Sequence, residues 1–200
     1  MRIRTVIGLA SLTLVVTAAA SCGDVIRSSR SPVLLTVNSL TGGTPPTSFL
    51  ISDVIENVRS PAPCSDVNPC PTVFNDPGSA VLSAVMKNAT LAPTTNNDIT
   101  VTRYTVAYSR ADGHNAPGID VPYPIDGAVT ATITAGGTQA VGFELVRHTA
   151  KKESPLVQLI DSEAHISTIA TVTFYGTDRV GTDVSATGSI LIDFANFGDK

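Results

Sequence analysis

Three histidines, His114, His148 and His165, are the side chains of this 200-residue sequence best suited to moving protons near neutral pH. A Ser-His-Asp system would need a nucleophile held on a strained turn, and no G-x-S-x-G stretch occurs. A zinc site would need converging His, Cys or carboxylate ligands, and the sequence has neither H-E-x-x-H nor C-x-x-C. His114 falls in a loop, His148 at a strand end and His165 before a strand, so all three read as surface residues. Paired carboxylates could serve glycoside hydrolysis. Asp120 and Asp126 flank Tyr123 on one loop, and Glu144 lies outward on a strand. Without Trp, a sugar-stacking platform would fall to Tyr123 or Tyr175. Hard cations want several oxygens, and two loops offer them: Asp112, Asn115 and Asp120 in one, Asp178 and Asp183 in the other. Neither loop has EF-hand spacing, and Asp-Gly is first a turn signal. No metal or cofactor is therefore assigned. Asp112, His114, Asn115, Asp120 and Tyr123 stand as the candidate binding loop, Tyr being favoured in contact patches.

Composition narrows the classes that this loop could serve. Apolar residues make up 42% of the chain and charged ones 15%, which is not the balance of a disordered tail. A net charge of −4 argues against nucleic acid, which needs a basic face. The length suits one domain with a full core.

The N-terminus reads as an address. Met1-Arg2-Ile3-Arg4 is a basic start, residues 5–20 are apolar or small, and small residues continue to Ser21. The run is too short to span a bilayer comfortably at ~20 residues. Ala19-Ala20-Ser21-Cys22 resembles the lipobox of bacterial lipoproteins, with Ala19 where Leu is commoner. The resemblance implies cleavage before Cys22, a diacylglycerol on its sulfur and acylation of the new amino terminus. With Cys22 lipidated, Cys64 and Cys70 remain as an even pair in an oxidising setting, and a disulfide is expected between them. Asn68-Pro69 favours the turn that closes it. Gly23, not Asp, follows Cys22, which in lipoproteins of two-membrane bacteria implies the outer membrane. Cleavage takes Arg2 and Arg4 from the 13 basic residues against 17 acidic ones, moving the formal charge from −4 to −6. Such a body is repelled by anionic lipid, and residues 22–31 read as a polar tether holding it off. The expected organisation is a signal peptide over 1–21, a tether over 22–31 and one domain over 32–200.

Elements that could position the loop residues follow a period of two. Val33, Leu35 and Val37; Leu82, Ala84 and Met86; Tyr104, Val106 and Tyr108; Val129, Ala131 and Ile133; Val141, Phe143 and Leu145; Ala170, Val172 and Phe174; and Val184, Ala186, Ile190, Ile192 and Phe194 each share a strand face. Their polar neighbours are mostly Thr and Ser, which suits a solvated pleated surface. Gly-containing turns separate them, including Asp76-Pro77-Gly78, Asp112-Gly113 and Gly136-Gly137. The pattern predicts an antiparallel sandwich of seven to nine strands. One short helix is expected after Ser154-Pro155, with Leu156, Leu159 and Ile160 on its face. Residues 57–77 hold five prolines and both late cysteines, too many prolines for a central strand, and read as a surface excursion.

The closing hairpin carries a second resemblance. Thr171 to Asp178, then Arg179-Val180-Gly181-Thr182, then Asp183 to Phe194, resembles the last two strands of bacterial immunoglobulin-like surface modules. With residues 99–134 the chain is similar to bacterial lipoproteins carrying one such domain. The resemblance implies an Ig-like fold and no activity. The expected protein is a non-enzymatic, lipid-anchored envelope protein that presents a binding or scaffolding domain. Its rivals are a structural subunit that pairs with an envelope protein through an edge strand, and a hydrolase with a site around residues 112–126.

Overall fold

The computed structural model describes residues 31–198, so the signal peptide, Cys22 and all of the tether before Ser31 lie outside the described residues. Ser31 itself belongs to the domain: it is buried, and its hydroxyl accepts a hydrogen bond from the Val33 amide at 3.2 Å.

Two sheets face each other across one core. The first sheet holds β1 (Val33–Gly42), β5 (Asp76–Met86) and β8 (Thr138–Val146) in the order β1-β5-β8, all antiparallel. The second holds β2 (Phe49–Asp53), β10 (Asp183–Ala195), β9 (Ile166–Asp178), β6 (Ile99–Ser109) and β7 (Ile125–Ile133), in the order β2-β10-β9-β6-β7. The fold is an all-β sandwich, as the period-two pattern implies. The alternating apolar residues of β6, β8, β9 and β10 are buried as expected. On β7, an edge strand, only Ile133 of its expected face is buried, and Val129 and Ala131 are half-covered.

Four local expectations need correction. First, β2 was not foreseen, and it runs parallel to β10 in an otherwise antiparallel sheet. Second, the proline-rich excursion contains two three-residue strands, β3 (Glu56–Val58) and β4 (Cys70–Thr72), paired only with each other. A ribbon outside the main sheets tolerates Pro71 because its other edge pairs with nothing in those sheets. Third, Asp76-Pro77-Gly78 is not a turn but the start of β5, with a bulge between Asp76 and Pro77 against β8. Fourth, the expected helix is a single 3-10 turn, Leu156–Leu159, capped by Pro155 and not by Ser154. Leu156 and Leu159 are buried, but the segment is fixed at both ends by long-range bonds and has no length for an α-helix.

Two tyrosines of β6 tie the sheets together. The Tyr108 hydroxyl donates to the Leu145 carbonyl at 2.7 Å, and the Tyr104 hydroxyl accepts from the Glu144 amide at 3.2 Å. Both rings are buried, and Tyr104, Phe143 and Phe174 pack with centroids 5.2 and 5.4 Å apart along the chain of contacts. A buried Tyr keeps its hydroxyl bonded at little loss of apolar area.

β6 bulges between Val101 and Arg103 against both neighbours, which brings its backbone onto Gly176 of β9. A Cβ there would stand 2.5 Å from the Thr100 carbonyl oxygen. Gly142, in β8, has nothing within 4 Å of the corresponding position. Gly176→Ala should therefore lower stability by roughly 1–3 kcal/mol through overpacking. Gly142→Ala should be neutral or stabilising by up to about 1 kcal/mol, since Gly weakens a strand interior. Urea unfolding of both variants checks the contrast.

Candidate functional site

Strand direction sorts the loops onto two poles. The described chain enters β1 at one pole, beside residues 87–98, 134–137 and 179–182, where the Lys87 amide bonds the Pro32 carbonyl and the Ala135 amide bonds Asp98. At the other pole lie residues 43–48, the β3–β4 ribbon, residues 110–124, residues 147–165 and the end of β10. The thirteen residues of β9 separate the poles by roughly 40 Å at ~3.3 Å each. Every residue of the candidate binding loop is therefore at the pole away from the entering chain.

A buried lysine organises that far pole. Lys151 follows β8 in a short 3-10 turn, and its side chain has no exposed surface. Its Nζ donates to the Asp53 carbonyl at 2.7 Å and to Asp76 Oδ1 at 3.1 Å, with Oδ2 at 3.0 Å. The Ser52 hydroxyl donates to Asp76 Oδ2 at 2.6 Å. Burial pushes the Asp76 carboxyl above its ordinary range, against the opposing pull of Lys151 and Ser52. The ends of β2 and β5 are thereby locked to the β8–β9 connection. Asp53 Oδ1 also accepts the Phe197 amide at 3.3 Å, so the C-terminal segment joins the same cluster.

The polar groups of the candidate loop are spent largely on one another. Arg110 donates to Asp112 at 2.5 Å, and the His114 amide donates to the other Asp112 oxygen at 3.1 Å. These two bonds hold the Asp112 carboxyl below its ordinary range. The Asn115 side chain accepts from the Arg110 amide, and Asp120 accepts from the Ala116 amide at 3.0 Å. Gly118 has φ +76°, and Tyr123 lies against it so closely that a Cβ would overlap the ring. Tyr123 and Ile119 are left projecting, 56% and 72% exposed. Asp112, Asn115 and Asp120 thus make turns; among the described residues no cluster of three His, Cys, Asp or Glu is placed to hold a metal.

The other candidates are dispersed. Asp126 forms a bidentate pair with Arg103 at 2.7 and 2.6 Å, and Arg103 lies 5.1 Å over the Tyr175 ring. Tyr175 is thus held on the outer sheet face, away from Tyr123 and the far-pole loop. Glu144 accepts from Asn75 at 3.3 Å. Asp178 accepts the Val180 and Thr182 amides, closing the β9–β10 turn, and Asp183 starts β10 beyond it. Cys64 and Cys70 form the expected disulfide, with Cα atoms 5.3 Å apart, across the base of the β3–β4 loop.

Two clefts flank the candidate loop. One of about 260 Å³ is lined by Arg110, Ala111, Asp112, His165 and Ser167. The other, about 240 Å³, lies between Tyr123, Ile125, Arg147, Thr149 and Glu153. Both are smaller than the ~300–1,000 Å³ of ordinary small-molecule sites. Arg110, Arg147 and Glu153 are not among the sequence candidates, and His165 is read there only as a surface histidine. Strand polarity is the signal that finds them, because the β6–β7 and β8–β9 connections must emerge at the same pole.

No protein-family model matches the chain, and no curated protein matches it significantly. The solution structure of a chain described as a candidate late embryogenesis abundant (LEA) protein is similar at 11% identity and a TM-score of 0.43. The match covers 97% of this chain and 90% of that one. At that distance the likeness carries nothing about what this chain does.

Three outcomes follow from the site. Asp76→Ala leaves the Lys151 ammonium buried without its counter-charge and should cost about 3–5 kcal/mol in urea unfolding, whereas the paired change Asp76→Leu with Lys151→Met should recover part of it. Reducing Cys64–Cys70 should cost about 2 kcal/mol at most, because the closed loop is short, and should deprotect ribbon amides while leaving both sheets unchanged in hydrogen exchange. In a carboxyl NMR titration, Asp112 and Asp126 should titrate below the ordinary 3.8. Their pairs then contribute above 3.8 and are lost as pH falls through the depressed folded values.

Proposed function

We propose that this chain is a lipid-anchored envelope protein whose Ig-like sandwich presents a contact surface, with binding or scaffolding and not catalysis as its task. The reading joins the lipobox-like Ala19-Ala20-Ser21-Cys22 to one observation of the fold. The chain enters the sandwich at one pole, and the exposed Tyr123 and Ile119, the disulfide ribbon and both clefts gather at the other. A protein held by its N-terminus in a membrane would then present those loops outward. An acidic body stands away from anionic lipid, and two or three acyl chains at ~0.8 kcal/mol per buried methylene hold it firmly. Where the host has two membranes, Gly23 after Cys22 points to the outer one.

A second reading, a subunit of an envelope assembly, draws on the second sheet's outer face. Phe49, Leu191 and Ile169 form an exposed apolar row across β2, β10 and β9, with Ile51 one step along the edge strand. Such a row beside β2, an edge strand among the described residues, suits strand addition by a partner. A stoichiometric partner recovered after mild detergent extraction supports this reading; weak, heterogeneous partners support the binding module.

Cys22→Ser should abolish the lipid mass and leave unprocessed or soluble protein; membrane fractionation at the normal mature mass contradicts the anchor. Orientation is tested with Ile119→Cys and Val180→Cys, matched at 72% and 70% exposure but on opposite poles. On intact membranes a bulky maleimide should label position 119 faster than 180, and in Cys22→Ser protein released from the membrane the two rates should converge. Equal rates on the membrane contradict the proposed presentation.

A further inference from the structure

We propose that the near pole of the sandwich, where the chain enters β1, seats directly on lipid headgroups, with Leu91 and Val180 as its contact points. The proposal rests on the Cys22 anchor argued above and goes beyond it: the anchor ties down one end of the chain, and the seat sets the posture of the domain. Charge is unevenly spread along the long axis. Residues 43–76, 110–126, 144–165 and 193–198, at and around the far pole, hold twelve carboxylates against five basic side chains. The near-pole stretches 87–98, 134–137 and 178–183 hold three carboxylates, Asp98, Asp178 and Asp183, against Lys87 and Arg179. Two of the three are withdrawn from the surface: Asp98 is 5% exposed and Asp178 3%. Asp98 accepts the Ala135 amide at 3.1 Å and lies 3.3 Å from Arg179 Nε. Asp178 accepts the Val180 and Thr182 amides at 3.1 and 2.8 Å. Of the three, only Asp183, at the start of β10, is exposed. Immediately before Ser31, the tether sequence adds Arg27 and Arg30 against Asp24.

Much of what this pole exposes is uncharged. Residues 88–97 (NATLAPTTNN) and 134–137 (TAGG) contain no ionisable side chain. Leu91 projects from the first of these at 54% exposure, and Val180 from the β9–β10 turn at 70%. Turns ordinarily carry Gly, Asn, Asp or Ser at such places. Here the Asp178 carboxylate is spent on holding the turn, and Val180 is left in solvent. Leu34 and Val85, cross-strand partners at the same end of the first sheet, are 48% and 47% exposed. Taking such side chains out of water at the headgroup boundary is favourable, and the two uncharged loops carry no carboxylate to desolvate with them. The thirteen residues of β9 hold the acidic pole roughly 40 Å away, several times the ~8 Å over which charge is felt at physiological salt. Seated on its near pole, the domain therefore meets anionic lipid with little repulsion. Turned over or laid flat, it brings its carboxylates within range. Tether residues 22–30 reach about 30 Å at most, so the seat is an intramolecular contact, and a weak one suffices.

Depth-dependent fluorescence on the full lipidated chain tests this. Leu91→Cys, Val180→Cys and the far-pole Ile119→Cys, each carrying an environment-sensitive label, are reconstituted into phosphatidylcholine vesicles containing phosphatidylglycerol once the acyl mass at Cys22 is verified. Labels at 91 and 180 should emit to the blue of the label at 119 and be shielded from aqueous iodide. A headgroup spin-labelled lipid should quench both and leave 119 bright. Leu91→Glu, an exposed change that circular dichroism should report as silent for the fold, should return the label at 180 to aqueous emission and iodide access while the chain stays on the vesicles. Labels at 91 and 180 as wet as the label at 119 on a lipidated chain overturn the seat and leave the anchor standing. Shielding at all three positions, the sign of a body lying flat, overturns it as well. So does a label at 180 that stays shielded in Leu91→Glu. Absence of the acyl mass overturns the anchor and the seat together.

Discussion

Taking a lysine side chain wholly out of water costs several kcal/mol unless its donors meet partners, and Lys151 meets them on two other strands at once. The Asp53 carbonyl, the Asp76 carboxyl and, behind that, the Ser52 hydroxyl belong to strands of both sheets. None of these groups can move alone without leaving another buried and unpaired. Around this cluster β2 lies against β10 in a parallel pair, β5 starts with a bulge, and the β8–β9 connection makes a 3-10 turn where a short helix was expected. The turn that carries Lys151 also borders the cleft beside the exposed Tyr123, through Thr149, Ala150 and Glu153.

The remainder of the sandwich rests on ordinary apolar packing. Phe143, Phe174 and Tyr104 fill the space between the sheets, and the two β6 tyrosines bond across it to β8. On the outer face of the second sheet, Thr173 bonds Thr187 and Thr100 bonds Thr132, with oxygens 3.0 and 3.3 Å apart. Cross-strand Thr pairs of this kind stabilise a solvated face modestly. They also keep most of that face polar, which makes the Phe49, Leu191 and Ile169 row stand out beside β2.

What could be read from the sequence tracks how local the determining physics is. β6, β8, β9 and β10 were legible because their inward residues alternate with Thr and Ser, and one sheet face is buried. The disulfide was legible because Cys64 and Cys70 sit either side of a proline turn. β2 was not, because its pattern is inverted: Ser52 is buried while Phe49 and Ile51 are exposed. Ser52 points inward to serve Asp76, a contact 24 residues away that no local periodicity encodes. Lys151, in the run Lys151-Lys152-Glu153, reads as solvated surface, and only its partners 75 and 98 residues distant place it inside. The candidate loop is an exposed turn region in the structure, and its carboxylates are turn-forming groups, as Asp112 and Asp120 show.

The central claim is that the far pole is held as a unit by Lys151 while the rest of the sandwich holds itself. Native-state hydrogen exchange of wild type against Lys151→Met measures this residue by residue. Protection should fall at the far pole, at the Val54 amide that bonds Ala195 and the Val157 amide that bonds Glu153. The amides paired between β6 and β9 should keep theirs. A loss spread evenly over both sheets, or no loss at Val54 and Val157, would contradict the account.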